Sequence, residues 1–154
     1  MARDTTLTHR IFIAAPVDVV WRAIADLEAV ADYNPTVSKA SLMPGPRNGL
    51  GAGRSCTTKQ GDVVERIVGW DAPNAIEMQL VSSPWPIRSM RWRTEVRPTA
   101  GGAEVAQELS YRPSLGVVGN ILNALMMQRT MDRTIASVFD ALKAYCEKKA
   151  AAHA

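Results

Sequence analysis

Long apolar runs are missing from this chain, and so are most of the residues that do chemistry. No stretch approaches the ~20 consecutive apolar residues that span a bilayer, so no transmembrane segment is expected. Met1 to Thr8 holds no apolar core and no small-residue cleavage pattern, which argues against an export signal. There are only two cysteines, Cys56 and Cys146, far apart and too few for a disulfide scaffold. Reduced thiols in a cytoplasmic protein are the simplest reading, with Cys56 a small core residue.

Charge of one sign is lacking as well. Eighteen basic residues against fifteen acidic ones leave a net charge of +3, and the bases alternate with acids instead of clustering. A nucleic-acid surface is therefore not expected. Histidine occurs only at His9 and His153, which leaves no Ser-His or Cys-His pair for nucleophilic catalysis. No group of His, Cys, Asp and Glu has metal-ligand spacing, and Gly49, Gly51 and Gly53 belong to a hairpin, not to a phosphate-binding turn. Neither a metal nor a cofactor is expected.

What is present is an ordinary globular balance, 47% hydrophobic and 21% charged over 154 residues. That length suits one domain, 1–154, with a core large enough to need no staples and a frayed tail over 149–154. Leu7 to Ala14 reads as a first strand. Pro16 then opens a short helix whose apolar positions are Val17, Val20, Trp21 and Ile24, and Asp26 caps a second one from Leu27 to Tyr33, stopped by Asn34-Pro35. Six strands follow: Thr36–Met43, Ala52–Thr58, Val63–Trp70, Ala75–Val81, Ile87–Arg97 and Ala103–Arg112. The turns between them recur at the rhythm of an antiparallel meander.

These strands alternate. Met90, Trp92, Thr94 and Val96 share one face of the sixth, and Val105, Gln107, Leu109 and Tyr111 share one face of the seventh. The opposite faces carry Arg91, Arg93, Glu95, Arg97, Glu104 and Glu108, as expected of a sheet wet on one side only. From Ser114 to about Lys149 a helix carries the stripe Val117, Ile121, Leu125, Met131, Ile135, Val138, Leu142 and Tyr145. Gly116 and Gly119 weaken its first turns.

The order strand, two small helices, six strands and a long helix resembles the START-like superfamily over nearly the whole chain. Within it, the sequence is similar to the polyketide cyclase/dehydrase-like branch. The residues that carry the likeness are Ile11-Phe12-Ile13-Ala14-Ala15-Pro16-Val17-Asp18-Val19-Val20-Trp21, Asp26-Leu27-Glu28, Gly51-Ala52-Gly53, Gly101 to Val105, and Leu142 to Glu147. The resemblance implies an α+β helix-grip fold: a seven-stranded curved antiparallel sheet around a long C-terminal helix, with two short helices between strands 1 and 2. A bent sheet cannot lie flat on one helix, so a gap remains, and such gaps are default ligand sites. In cyclase members the resemblance places an arginine on the fourth strand and a tyrosine after the second helix; the matching positions here are Trp70 and Val37, with Arg66 and Tyr33 nearby.

Alternation then nominates the lining: Arg66, Val68, Trp70 and Met78 on the fourth and fifth strands, Met90, Trp92, Gln107 and Tyr111 on the sixth and seventh, and Gln128 and Met131 on the helix. Tyr33, Trp85 in its Pro84-Trp85-Pro86 loop, and Met127 are placed at the mouth. Most of these side chains also read as ordinary core. Arg66 shares the parity of Val64, Val68 and Trp70; inside, it needs a ligand carboxylate, an enol oxygen or an internal acid as partner. The alternative is a bulge that turns Arg66 outward and puts Glu65 inside. The expected function is binding or transport of a small hydrophobic ligand by a monomer or homodimer, with transient membrane contact through the Trp85 loop allowed. A polyketide cyclase or dehydrase, and a protein-interaction module like the coenzyme Q or co-chaperone relatives, are the alternatives.

Overall fold

A computed structural model describes residues 4–114 and 121–153. The chain forms β1 (Thr5–Ile13), α1 (Val17–Ala25), α2 (Val30–Tyr33), β2 (Lys39–Leu42), β3 (Gly53–Thr58), β4 (Gly61–Asp71), β5 (Ala75–Ser82), β6 (Ile87–Thr99), β7 (Gly102–Pro113) and α3 (Ile121–Ala152). The seven strands make one antiparallel sheet in the order β1-β7-β6-β5-β4-β3-β2. Strands β2 to β7 are a plain meander. The excursion through α1 and α2 carries the chain from one edge strand, β1, to the other, β2. This is the helix-grip architecture that the element order suggested.

Local chemistry explains the joints. Asp26 accepts from the Glu28 amide, 3.1 Å away, and so caps a turn; the second helix is shorter than expected and begins only at Val30. Asn34 does the same for Thr36 at 2.9 Å, which delays β2 to Lys39. At the β6–β7 turn Gly101 has φ +81°, and a Cβ on Gly102 would collide with the Ile13 carbonyl oxygen where β1 crosses. The glycine pair is there for both reasons. At the far end α3 runs on past Lys149 to Ala152, so the frayed tail expected from residue 149 is helical over most of its length.

Helix α3 is held at one end. Phe139, Leu142 and Cys146 are 6%, 3% and 0% exposed, in a core completed by Ile13 of β1, Val20 of α1, Val96 of β6 and Val105 of β7. Leu125 and Met126, near the other end, are 47% and 59% exposed. The helix is therefore clamped through its C-terminal half, while its N-terminal half spans the concave face of the sheet. The expected stripe positions Val117 and the Ile121 side chain, and the weakening at Gly116 and Gly119, lie outside the described residues.

Leu142→Ala should cost about 2–5 kcal/mol of unfolding free energy in urea, whereas Met126→Ala should change it by less than about 0.5 kcal/mol. Both thiols are unpaired and buried, Cys56 among Val30 and Val37 and Cys146 in the helix clamp, and burial pushes each up to about 11. The native protein should therefore expose no thiol to a disulfide reagent at pH 8, and two after denaturation. Because the folded chain keeps protons that the unfolded chain loses, the melting temperature should also fall as pH rises from 9 to 11.

Candidate functional site

Between the sheet and the free half of α3 lies a cleft of about 700 Å³. Its floor is the concave face of β5, β6 and β7, contributing Ile76, Met78, Met90, Trp92 and Leu109. Its roof is one face of α3, with Met127, Met131, Ile135 and Val138 at helical spacing. These are strand and helix stripes that would close on each other if α3 lay flat. They meet along one side, where Met127, Met131 and Ile135 pack against the Met90, Leu109 and Tyr111 cluster, and stay apart elsewhere because the curved sheet falls away from the helix.

Three sets of side-chain hydrogen bonds border the cleft. Deep on β3 and β4, Arg54 Nε donates to Glu65 Oε2 at 2.7 Å, with side chains only 9% and 12% exposed. Arg54 Nη1 also donates to the Leu27 carbonyl at 3.3 Å. Burial works against the Arg54 charge, but the Glu65 carboxylate, with Cys56 and Tyr33 beside it, more than offsets this, and the guanidinium is held protonated. Tyr33 at the end of α2 lines the same region, its ring 5.5 Å from that of Tyr145. Burial raises its phenol to about 12, against the opposing effect of Arg54. Midway along the floor, Gln107 Nε2 donates to Thr94 Oγ1 at 3.0 Å. At the rim, Trp85 Nε1 donates to Gln60 Oε1 at 2.9 Å, tying the β5–β6 loop to the β3–β4 turn.

The expected residues divide accordingly. Met78, Met90, Trp92, Gln107 and Met131 meet on the walls of the cleft, with Trp85 and Met127 also bordering it. Tyr33 borders it too, but beside the buried ion pair. Tyr111 is buried beneath, packed with Leu7, Met90 and Leu109, and Gln128 is on the exposed side of α3. Trp70 packs against Trp21, ring centroids 5.5 Å apart and ring planes tilted by 58°, in a separate surface groove.

Arg66 is the main correction. Its Nη1 donates to the Gly51 carbonyl at 2.6 Å, and it is Glu65 that lines the cleft. The reason is a β-bulge. Ile67 pairs with Met78 and Gly69 with Glu77, which leaves Val68 as an extra residue. Trp70 therefore faces the same side as Ile67, and parity counted backwards from Trp70 is out by one for Val64 and Arg66. Val68, at the bulge, is likewise not part of the cleft lining. Arg54 was missed on the sequence, although one signal was there: it stands two residues before Cys56, read as core, and so shares its face.

Outside the cleft, His9 Nε2 is 2.8 Å from Asp132 Oδ1 and its ring meets Phe139 edge-on, joining β1 to α3. Among the described residues no group of three or more His, Cys, Asp and Glu side chains could hold a metal ion. No helix among them is long and apolar enough to cross a membrane.

The fold matches the crystal structure of the ZhuI aromatase/cyclase from Streptomyces sp. R1128 at a TM-score of 0.80 and 15% identity, covering 96% of each chain. It matches that of Ara h 8.0201 at a TM-score of 0.69 and 12% identity, covering 94% of this chain and 98% of the other. At such identities both likenesses concern the fold alone. No curated protein matches the sequence. The family model for polyketide cyclase / dehydrase and lipid transport matches residues 4–147, and the chain belongs to that family.

Proposed function

We propose that this protein binds a small hydrophobic ligand in the cleft between the sheet and the free half of α3. One observation carries the reading: about 700 Å³ of space walled by methionine, leucine, isoleucine and tryptophan side chains, with a buried ion pair at its deep end. A chain whose only task was to present a surface to another protein would have no need to keep that volume open, since filling it would stabilise the fold. Methionines on both walls suit irregular apolar shapes. The membership in a cyclase and lipid-transport family is in line with this reading. A cytoplasmic location is part of the proposal and rests on the two unpaired thiols.

A cyclase or dehydrase reading stands second, and Tyr33 favours it. Its phenol, kept neutral up to about pH 12, lines the cleft close to Arg54, where it can donate a hydrogen bond to a substrate carbonyl oxygen and polarise it. The two readings share the site and differ in whether anything there turns over.

Native mass spectrometry and solvent extraction of the purified protein should reveal a stoichiometric apolar molecule. Met131→Trp, which fills the cleft from the half-exposed roof, should lower uptake of the neutral dye Nile red at least ~10-fold and shift the melting temperature by only a few degrees. Unchanged uptake in that variant would place the ligand elsewhere. For the second reading, a poly-β-keto thioester should be consumed by the wild type and not by Tyr33→Phe, while dye uptake stays the same.

A further inference from the structure

The deep end of the cleft is polar but carries no net charge. Arg54 and Glu65 cancel one another at 2.7 Å. Among the described residues lining the cleft, the one other that is charged is Lys59, exposed in the β3–β4 turn at the rim. From Arg54 to Thr58 on β3 is four residues, roughly 13 Å of extended strand, so the pair and the rim are well separated.

We infer that the cleft selects uncharged amphiphiles, taking a hydroxyl or carbonyl group against the Arg54–Glu65 pair and rejecting the corresponding carboxylates. This rests on the ligand-binding reading above and adds the polarity and charge of the ligand. The guanidinium has five N–H donors, and its two contacts engage Nε and one hydrogen on Nη1. Donors remain for a ligand oxygen. Glu65 has used Oε2 on Arg54 and keeps lone pairs for a ligand hydroxyl. A hydroxyl can satisfy both at once.

A carboxylate meets a different balance. It would gain Arg54 but stand beside Glu65, so the site would hold two anions against one cation in a place where an uncompensated charge is strongly disfavoured. Turning the ligand round does not help. With its carboxylate at Lys59 the ion pair would be exposed and weak. Its alkyl end would then cover the spare donors and lone pairs of Arg54 and Glu65 with nothing to bond them. The pair thus acts as a filter on charge because it is already complete.

Dodecanol and dodecanoate share a chain and differ only at the terminal group. Displacement of Nile red at pH 8 should give dodecanol at least ~10-fold tighter binding than dodecanoate. An apolar cleft alone would also prefer the alcohol, so the variants decide. Glu65→Gln should improve dodecanoate at least ~10-fold and move dodecanol less than about 3-fold. The double variant Arg54→Met, Glu65→Leu leaves no unpaired charge to unfold the chain, and should weaken dodecanol about 10-fold. The inference is overturned if dodecanoate equals dodecanol in the wild type. It is equally overturned if Glu65→Gln folds and leaves their ratio unchanged, or if the double variant keeps its dodecanol affinity. Failure of the wild type to bind Nile red or either ligand would instead remove the ligand-binding reading itself.

Discussion

Everything in this molecule hangs on the attachment of α3 at one end. Phe139, Leu142 and Cys146 enter a core made by Ile13, Val20, Val96 and Val105, where the ends of β1, β6 and β7 meet α1. That clamp buries large apolar surface and fixes the helix direction. Past it, toward the N-terminus, the helix and the sheet diverge, because one is straight and the other twists. The cleft is the consequence of that divergence and needs no separate explanation. Met90, Trp92 and Met131 line what stays open, beside the place where Met127, Met131 and Ile135 pack on the sheet.

The second constraint is electrostatic. A buried ion pair seldom adds much stability, since desolvating both partners costs about what their attraction returns. Arg54 and Glu65 are held by position, on neighbouring strands at register partners, with the Leu27 carbonyl as a third contact. What the pair does provide is polarity without net charge inside an apolar site. Tyr33, neutral through burial, extends the same character. The deep end thus sets polar groups among apolar surroundings.

The rim has its own logic. Trp85 reaches back to Gln60, so the loop between Pro84 and Pro86 is tied to the β3–β4 turn and lies over the edge of the cleft. Its indole is half-buried and packs, as do Ile87, Met127 and Met131, against the cluster of Leu7, Met90, Leu109 and Tyr111.

The sequence by itself determined a good deal. The order of elements, the two-residue alternation of β6 and β7, and the three- and four-residue spacing of α3 fixed the helix-grip fold and the apolar walls at Met78, Met90, Trp92 and Met131. Those patterns survive because period-2 and period-3.6 burial is local geometry, legible wherever the strand or helix is regular. Tertiary structure alone decided the polar end. The bulge at Val68 inverts the face of the residues before it, so Glu65 points in and Arg66 out. No count of residues reveals a bulge, because the extra residue becomes visible only against the partner strand. The same holds for Tyr111 and Gln128, correctly placed on their elements and yet outside the cleft. Which part of an apolar face is filled and which is open depends on where the helix leaves the sheet, and that is set by contacts between residues more than a hundred positions apart.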